Sequence, residues 1–185
     1  MIQNKTQKFT VCALLLAIGI ILPYATAHGF GIPGTILLPM HIPVFLCGFL
    51  CGPLYGGALG LMLPILNSLL TGMPTLFPML PIMLCELTVY GFTSGAVFTK
   101  TALFRQKYGI YIALPISMIC GRIAYAIAFY TLLLFIGDLK ALSIGAAIVT
   151  GIPGIIIQLV LIPQIVLLCK RGVPVRDKTS DENRQ

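Results

Sequence analysis

From Phe9 to Cys85 the sequence contains no Lys, Arg, Asp or Glu. No water-soluble fold accommodates such a stretch, because its surface would lack charged groups to solvate it. Soluble domains carry about 25% charged residues, whereas this 185-residue chain carries 9%, with 58% hydrophobic. The bilayer is the solvent that fits, and roughly 20 apolar residues make one crossing. The length therefore accommodates about six spans with short connections and no separate soluble domain. The net charge of +7 does not point to nucleic acid. It sits at the chain ends and in one loop, as membrane topology requires.

Apolar runs place the spans near residues 9–27, 39–51, 54–70, 79–98 and 110–136. A sixth ends near 169 and begins somewhere between 142 and 154. The second is short, and Gly52-Pro53 turns the chain tightly into the third. The apolar run after the polar, basic start has no convincing cleavage site, so it reads as a retained first helix. The chain thus divides into 1–8, a cytoplasmic N-terminus, 9–169, a six-helix transmembrane domain, and 170–185, a basic cytoplasmic tail expected to be disordered.

Basic residues fix the expected orientation. Lys5 and Lys8 precede span 1, Lys100, Arg105 and Lys107 lie between spans 4 and 5, and Lys170, Arg171, Arg176, Lys178 and Arg184 follow span 6. An even span count puts all three groups on one side, with only Lys140 opposite. The positive-inside rule then places both termini in the cytoplasm. The fold class is an all-α integral membrane bundle of six transmembrane helices.

Two of the outward loops are uncharged and rich in Gly and Pro: Gly31, Pro33, Gly72 and Pro74 lie among Phe30, Met73 and Phe77. Non-helical apolar backbone is tolerated where it is buried or lines a cavity. These loops are expected to lid an outward-facing pocket, or to be tight turns dipping into the headgroups. Beneath them lie His41, Asn67, Glu86 and Gln158, on four different spans, with Gln164 deeper. Polar groups converging in an apolar shell resemble a small-molecule site, although neutral amides also serve as interhelical glue. Tyr24, Tyr90 and Tyr125 offer aromatic walls, or ordinary packing.

Glu86 and Arg122 are the ionisable groups inside spans, where they are costly and face the bundle interior. At 1.5 Å per residue, Glu86 lies roughly 10 Å from the outer end of its helix and Arg122 roughly 20 Å from its own. Their side chains also lean toward opposite faces of the membrane. The two either hold substrate or form a structural ion pair, and a direct pair requires these boundaries to be off by a turn; Arg122 could also serve helix packing.

The six cysteines all fall in apolar runs and read as small apolar side chains. Cys47 and Cys51 stand one turn apart, and no zinc spacing is present. There is no Walker loop, nucleophile elbow or paired carboxylate set, so neither an enzyme nor a cofactor or metal centre is expected. Ala13 and Ala17 form a small-xxx-small pair that suits close approach of another helix. Gly48 with Gly52, and Gly56 with Gly60, repeat the spacing.

Several motifs carry a family resemblance: Ala13 to Ala17 (ALLLA), Leu38 to Pro53 (LPMHIPVFLCGFLCGP), Leu69 to Pro74 (LLTGMP), Phe77 to Pro81 (FPMLP), Gly121-Arg122, and Pro153 to Leu159 (PGIIIQL). Their order over residues 9–170 resembles the substrate-binding S component of energy-coupling factor (ECF) vitamin transporters of the bacterial cell membrane. The resemblance implies a bilayer complex with a transmembrane coupling protein, docked on the Ala13/Ala17 face, and two ABC ATPases. It implies substrate capture from outside and release inward by toppling of the bundle. The substrate would be a vitamin or vitamin precursor, held by residues among Glu86, Asn67, His41, Gln158, Arg122 and Tyr90. The absence of Trp and the presence of Glu86 with polar amides suit a hydroxylated or zwitterionic molecule. Pantothenate or a cobalamin precursor comes first and riboflavin after. The competing readings are a self-sufficient ion-coupled transporter using Glu86, a membrane-embedded enzyme, and a purely structural subunit.

Overall fold

A computed structural model describes residues 4–29, 31, 34–100, 109–136 and 144–172. Pro33, the loop residues Arg105 and Lys107, the turn at Gly137, Asp138 and Lys140, and the tail from 173 onward lie outside the described residues. Among the described residues every regular element is helical: α1 (Lys5–Tyr24), continued by a π-turn at Ala25–Gly29, α2 (Gly34–Leu37), α3 (His41–Cys51), α4 (Pro53–Thr71), α5 (Met79–Lys100), α6 (Ile110–Ile136) and α7 (Ile144–Gly172). Five of these, α1 and α4 to α7, are long and apolar enough to cross a bilayer.

The second expected span is the exception. At 11 residues, α3 rises about 16 Å, short of the roughly 30 Å hydrocarbon core. It is hydrophobic all round, as a fully buried helix should be, and nine of its residues are buried. It sits at the centre of the bundle, against α1, α4, α5 and α7. By contrast, α1 buries only Leu15 and Gly19 and turns Leu14, Ile18 and Ile21 outward. On α6, Ile123, Ile127 and Leu134 are likewise exposed. An apolar exterior of this extent is what lipid solvates, and the molecule is a multi-pass membrane protein.

Gly52 adopts φ 104°, and Pro53 opens α4 immediately after it, where its missing N–H costs nothing. Gly72 ends α4 in the left-handed conformation, with its N–H on the Ser68 carbonyl. Between these ends, α3, α4 and α5 meet along a seam of glycines. A methyl on Gly56 would land on the Gly91 carbonyl, and one on Gly91 would land on the Gly56 carbonyl. Gly48 faces Ser94 and Gly91, and Gly60 faces the Leu87 carbonyl. Gly56 with Gly60 is thus a helix-contact pair, and Gly48 joins the same seam.

A backbone carbonyl freed inside α1 finds an internal partner, as a hydrocarbon solvent demands. Pro23 in α1 has no N–H to give to the Gly19 carbonyl four residues back. The Asn67 side-chain amide on α4 supplies it, donating to Gly19 O at 3.2 Å and to Leu63 O at 3.1 Å.

Candidate functional site

Four helices bring their polar side chains to one place. His41 is the first residue of α3, Glu86 and Tyr90 stand one turn apart on the same face of α5, Arg122 is midway along α6, and Gln158 is on α7. Arg122 Nη1 lies 2.9 Å from Glu86 Oε1. The Tyr90 hydroxyl donates to the same oxygen at 2.9 Å. His41 Nε2 stands 3.9 Å away, beyond hydrogen-bond reach, and neither of its ring nitrogens has a partner among the described residues. Its ring lies 5.3 Å from that of Tyr90, which also packs on Phe45 at 4.8 Å.

The direct Arg122–Glu86 pair corrects the depth argument from sequence. The helix limits agree with the apolar runs, but the helix ends are not level. Ile82 on the first turn of α5 clusters with Tyr125, Ala128 and Phe129 of α6, and Gly121 abuts the Tyr90 ring. So α6 runs on past the start of α5, and counting back from Ile136 overstates the depth of Arg122 by about a turn. The long guanidinium side chain covers the remainder.

Beside this cluster is a cavity of about 390 Å³. Its polar wall is His41, Tyr90, Arg122 and Gln158, and its apolar wall is Leu38, Met118, Ile119, Ile123, Ala126 and Ile155. Glu86, 3% exposed, stands behind the wall and anchors Arg122, whose side chain is 20% exposed. Leu38, just after α2, closes one side of the cavity. Gly154 lets the carbonyls of Ile36 and Leu37 lie directly on α7, and Gly151 receives the Leu38 side chain. Leu38 holds φ 49°, an uncommon conformation for a residue with a branched side chain. Its carbonyl accepts both the His41 N–H at 3.1 Å and the Gln158 side-chain amide at 3.3 Å.

Of the residues singled out from sequence, His41, Tyr90, Arg122 and Gln158 therefore line one cavity and Glu86 braces it. Asn67 stands apart, because the carbonyl freed by Pro23 occupies its amide. The second loop does not cover the cavity: none of its residues is in the wall, Pro74 is buried with its carbonyl on the Ser68 hydroxyl, and Met73, Leu76 and Phe77 point outward. Gly72 serves as the helix cap. Gly31, at φ 64°, is exposed and away from the wall. Tyr24 and Gln164 are exposed, and Tyr125 belongs to the packing cluster with Phe129. The apolar wall on α6 was not anticipated, although its signal was present. Positions 118, 119 and 126 stand three or four residues from Arg122 and share its helix face, so the placing of Arg122 places them too.

The family model for the substrate-specific component of ECF transporters matches residues 7–166. Comparison with curated proteins and with solved structures finds no match.

Proposed function

The chain belongs to the substrate-specific components of ECF transporters, and on that premise we propose that it captures a carboxylate-bearing vitamin or vitamin precursor in the cavity between α3, α5, α6 and α7. One observation carries the reading: Arg122 is fixed by Glu86 yet remains part of the cavity wall. A guanidinium offers five donors, more than one carboxylate oxygen takes up, and its planar fork matches a second carboxylate. His41, with unpartnered nitrogens, and Gln158 supply hydrogen bonds for amide or hydroxyl groups. The Ile and Met side chains of α6 suit a branched aliphatic portion.

The volume stands near the lower end of small-molecule sites, about 300–1,000 Å³. It suits a molecule of pantothenate's size and not a corrin ring. Charge placement supports cytoplasmic termini, with the cavity in the outer half of the membrane. Ala13 and Ala17, on the exposed face of α1 with Leu14, Ile18 and Ile21, would dock the transmembrane coupling protein, and two ABC ATPases would power release. Glu86, already engaged by Arg122 and Tyr90, is poorly placed to carry a coupling ion, which favours energy from partner subunits.

Equilibrium dialysis of the purified chain in detergent, without ATP, against a vitamin panel tests the reading. Binding of pantothenate or a similar small carboxylate, abolished by the cavity-filling change Ala126→Trp, is expected. Uniform non-binding, or binding indifferent to Ala126→Trp, defeats it.

A further inference from the structure

At the far end of α3 from the cavity, about 15 Å along the helix, three cysteines converge. Sequence spacing joins only Cys47 and Cys51. The fold adds Cys12 from α1, with its Sγ 2.9 Å from that of Cys47. The three Sγ atoms all lie within 4.8 Å of one another. Cys47 and Cys51 are buried, Cys12 is half-buried, and all three are free thiols. The Cys51 thiol also donates to the Lys8 carbonyl at 3.7 Å.

A cysteine that serves only as a small apolar side chain has no need of two others beside it. We propose that Cys12, Cys47 and Cys51 form a site for a soft, thiophilic cation, Cu(I), held in trigonal sulfur coordination. Ligand softness makes the first selection, since sulfur-only sites favour Cu(I), zinc and iron–sulfur centres over the harder cations. Ligand number makes the second. Structural zinc takes four protein ligands, and the described residues bring no fourth Cys, His, Asp or Glu to this group.

The geometry accommodates the ion. Metal–sulfur bonds of about 2.3 Å set three sulfurs in a trigonal plane roughly 4 Å apart, inside the observed spread. The Cys12–Cys47 contact has to open by about 1 Å, within reach of a small side-chain rotation. Binding releases the thiol protons, and Lys8, whose carbonyl touches Cys51 and whose ammonium rests over the Tyr55 ring at 5.7 Å, brings positive charge to the same corner. Half-buried Cys12 gives the ion its way in. Once bound, the ion ties α1 to α3.

The test is anaerobic titration of the reduced full chain in detergent with Cu(I), against bicinchoninate as competing chelator. The combined variant Cys85→Ser, Cys120→Ser, Cys169→Ser leaves the cluster as the sole source of thiols. It is expected to retain one Cu(I) per chain, and X-ray absorption is expected to show three sulfur neighbours. Cys12→Ser, which alters the half-buried position, should weaken retention about tenfold or more, as should Cys47→Ala and Cys51→Ala. Loss of the ion to the chelator from the combined variant overturns the proposal, as does a two-sulfur shell or binding indifferent to Cys12→Ser. The absorption measurement needs no change within the cluster, so it stands even if those variants fold poorly.

Discussion

Replacing Arg122 with Gln removes the cation from a carboxylate that is 3% exposed. Taking one partner from a buried ion pair costs about 3–5 kcal/mol, because the other charge is left without compensation. The two partners are not equivalent here. Glu86 keeps the Tyr90 hydroxyl at 2.9 Å but has His41 only at 3.9 Å, so Arg122→Gln should fall near the lower limit, about 3 kcal/mol. Glu86→Gln leaves a guanidinium that reaches the cavity, and should lose about 1.5–2 kcal/mol, the value of a charge-assisted hydrogen bond. With both changes the site holds two neutral amides and no stranded charge. The double variant should cost about 2 kcal/mol, well under the sum of the single changes, giving a coupling of roughly 2–3 kcal/mol. Equilibrium unfolding in mixed detergent micelles, run on all four proteins, measures it. Effects that add to within about 0.5 kcal/mol would refute the pairing and restore the separated depths that residue counting gives.

Bulky side chains at Ala13 and Ala17, such as Ala13→Phe with Ala17→Phe, should abolish uptake by the assembled transporter while sparing binding by the isolated chain. Lost binding would show the face to be internal packing. Asn67→Leu strands the Gly19 carbonyl, which Pro23 cannot serve, and should cost about 1–3 kcal/mol of stability with substrate affinity unchanged. A fall in affinity measured by dialysis on the folded variant would return Asn67 to the binding site.

Helix limits were legible because they depend on local signals: uncharged apolar runs, Gly52-Pro53, Gly72 and the basic connections. The sequence left the start of the last helix open over residues 142–154, and it begins at Ile144. Burial of most polar groups was legible too: His41, Asn67, Glu86 and Gln158 turn inward, as polar groups inside a span are expected to, whereas Gln164 on α7 does not. Which inward groups meet was not. That depends on how far one helix is displaced along another, and no run of residues records the displacement of α6 against α5 that joins Arg122 to Glu86. Asn67 shows a different gap. Its partner need was written in α1, where Pro23 frees a carbonyl, while the residue that answers it is 48 positions away from Gly19. Cys12 reached Cys47 in the same way, across 35 positions.

The seating of Gly56 against Gly91 also bears on how a chain like this changes its diet. Positions along that junction admit no added atom without parting two backbones, so α3, α4 and α5 form a spine that substitution cannot reshape. The cavity surface free of that constraint lies instead on α6 and α7, at Met118, Ile119, Ile123, Ala126 and Ile155. The volume and shape of the cavity can therefore be altered on one wall, while the opposite side keeps the fold in register.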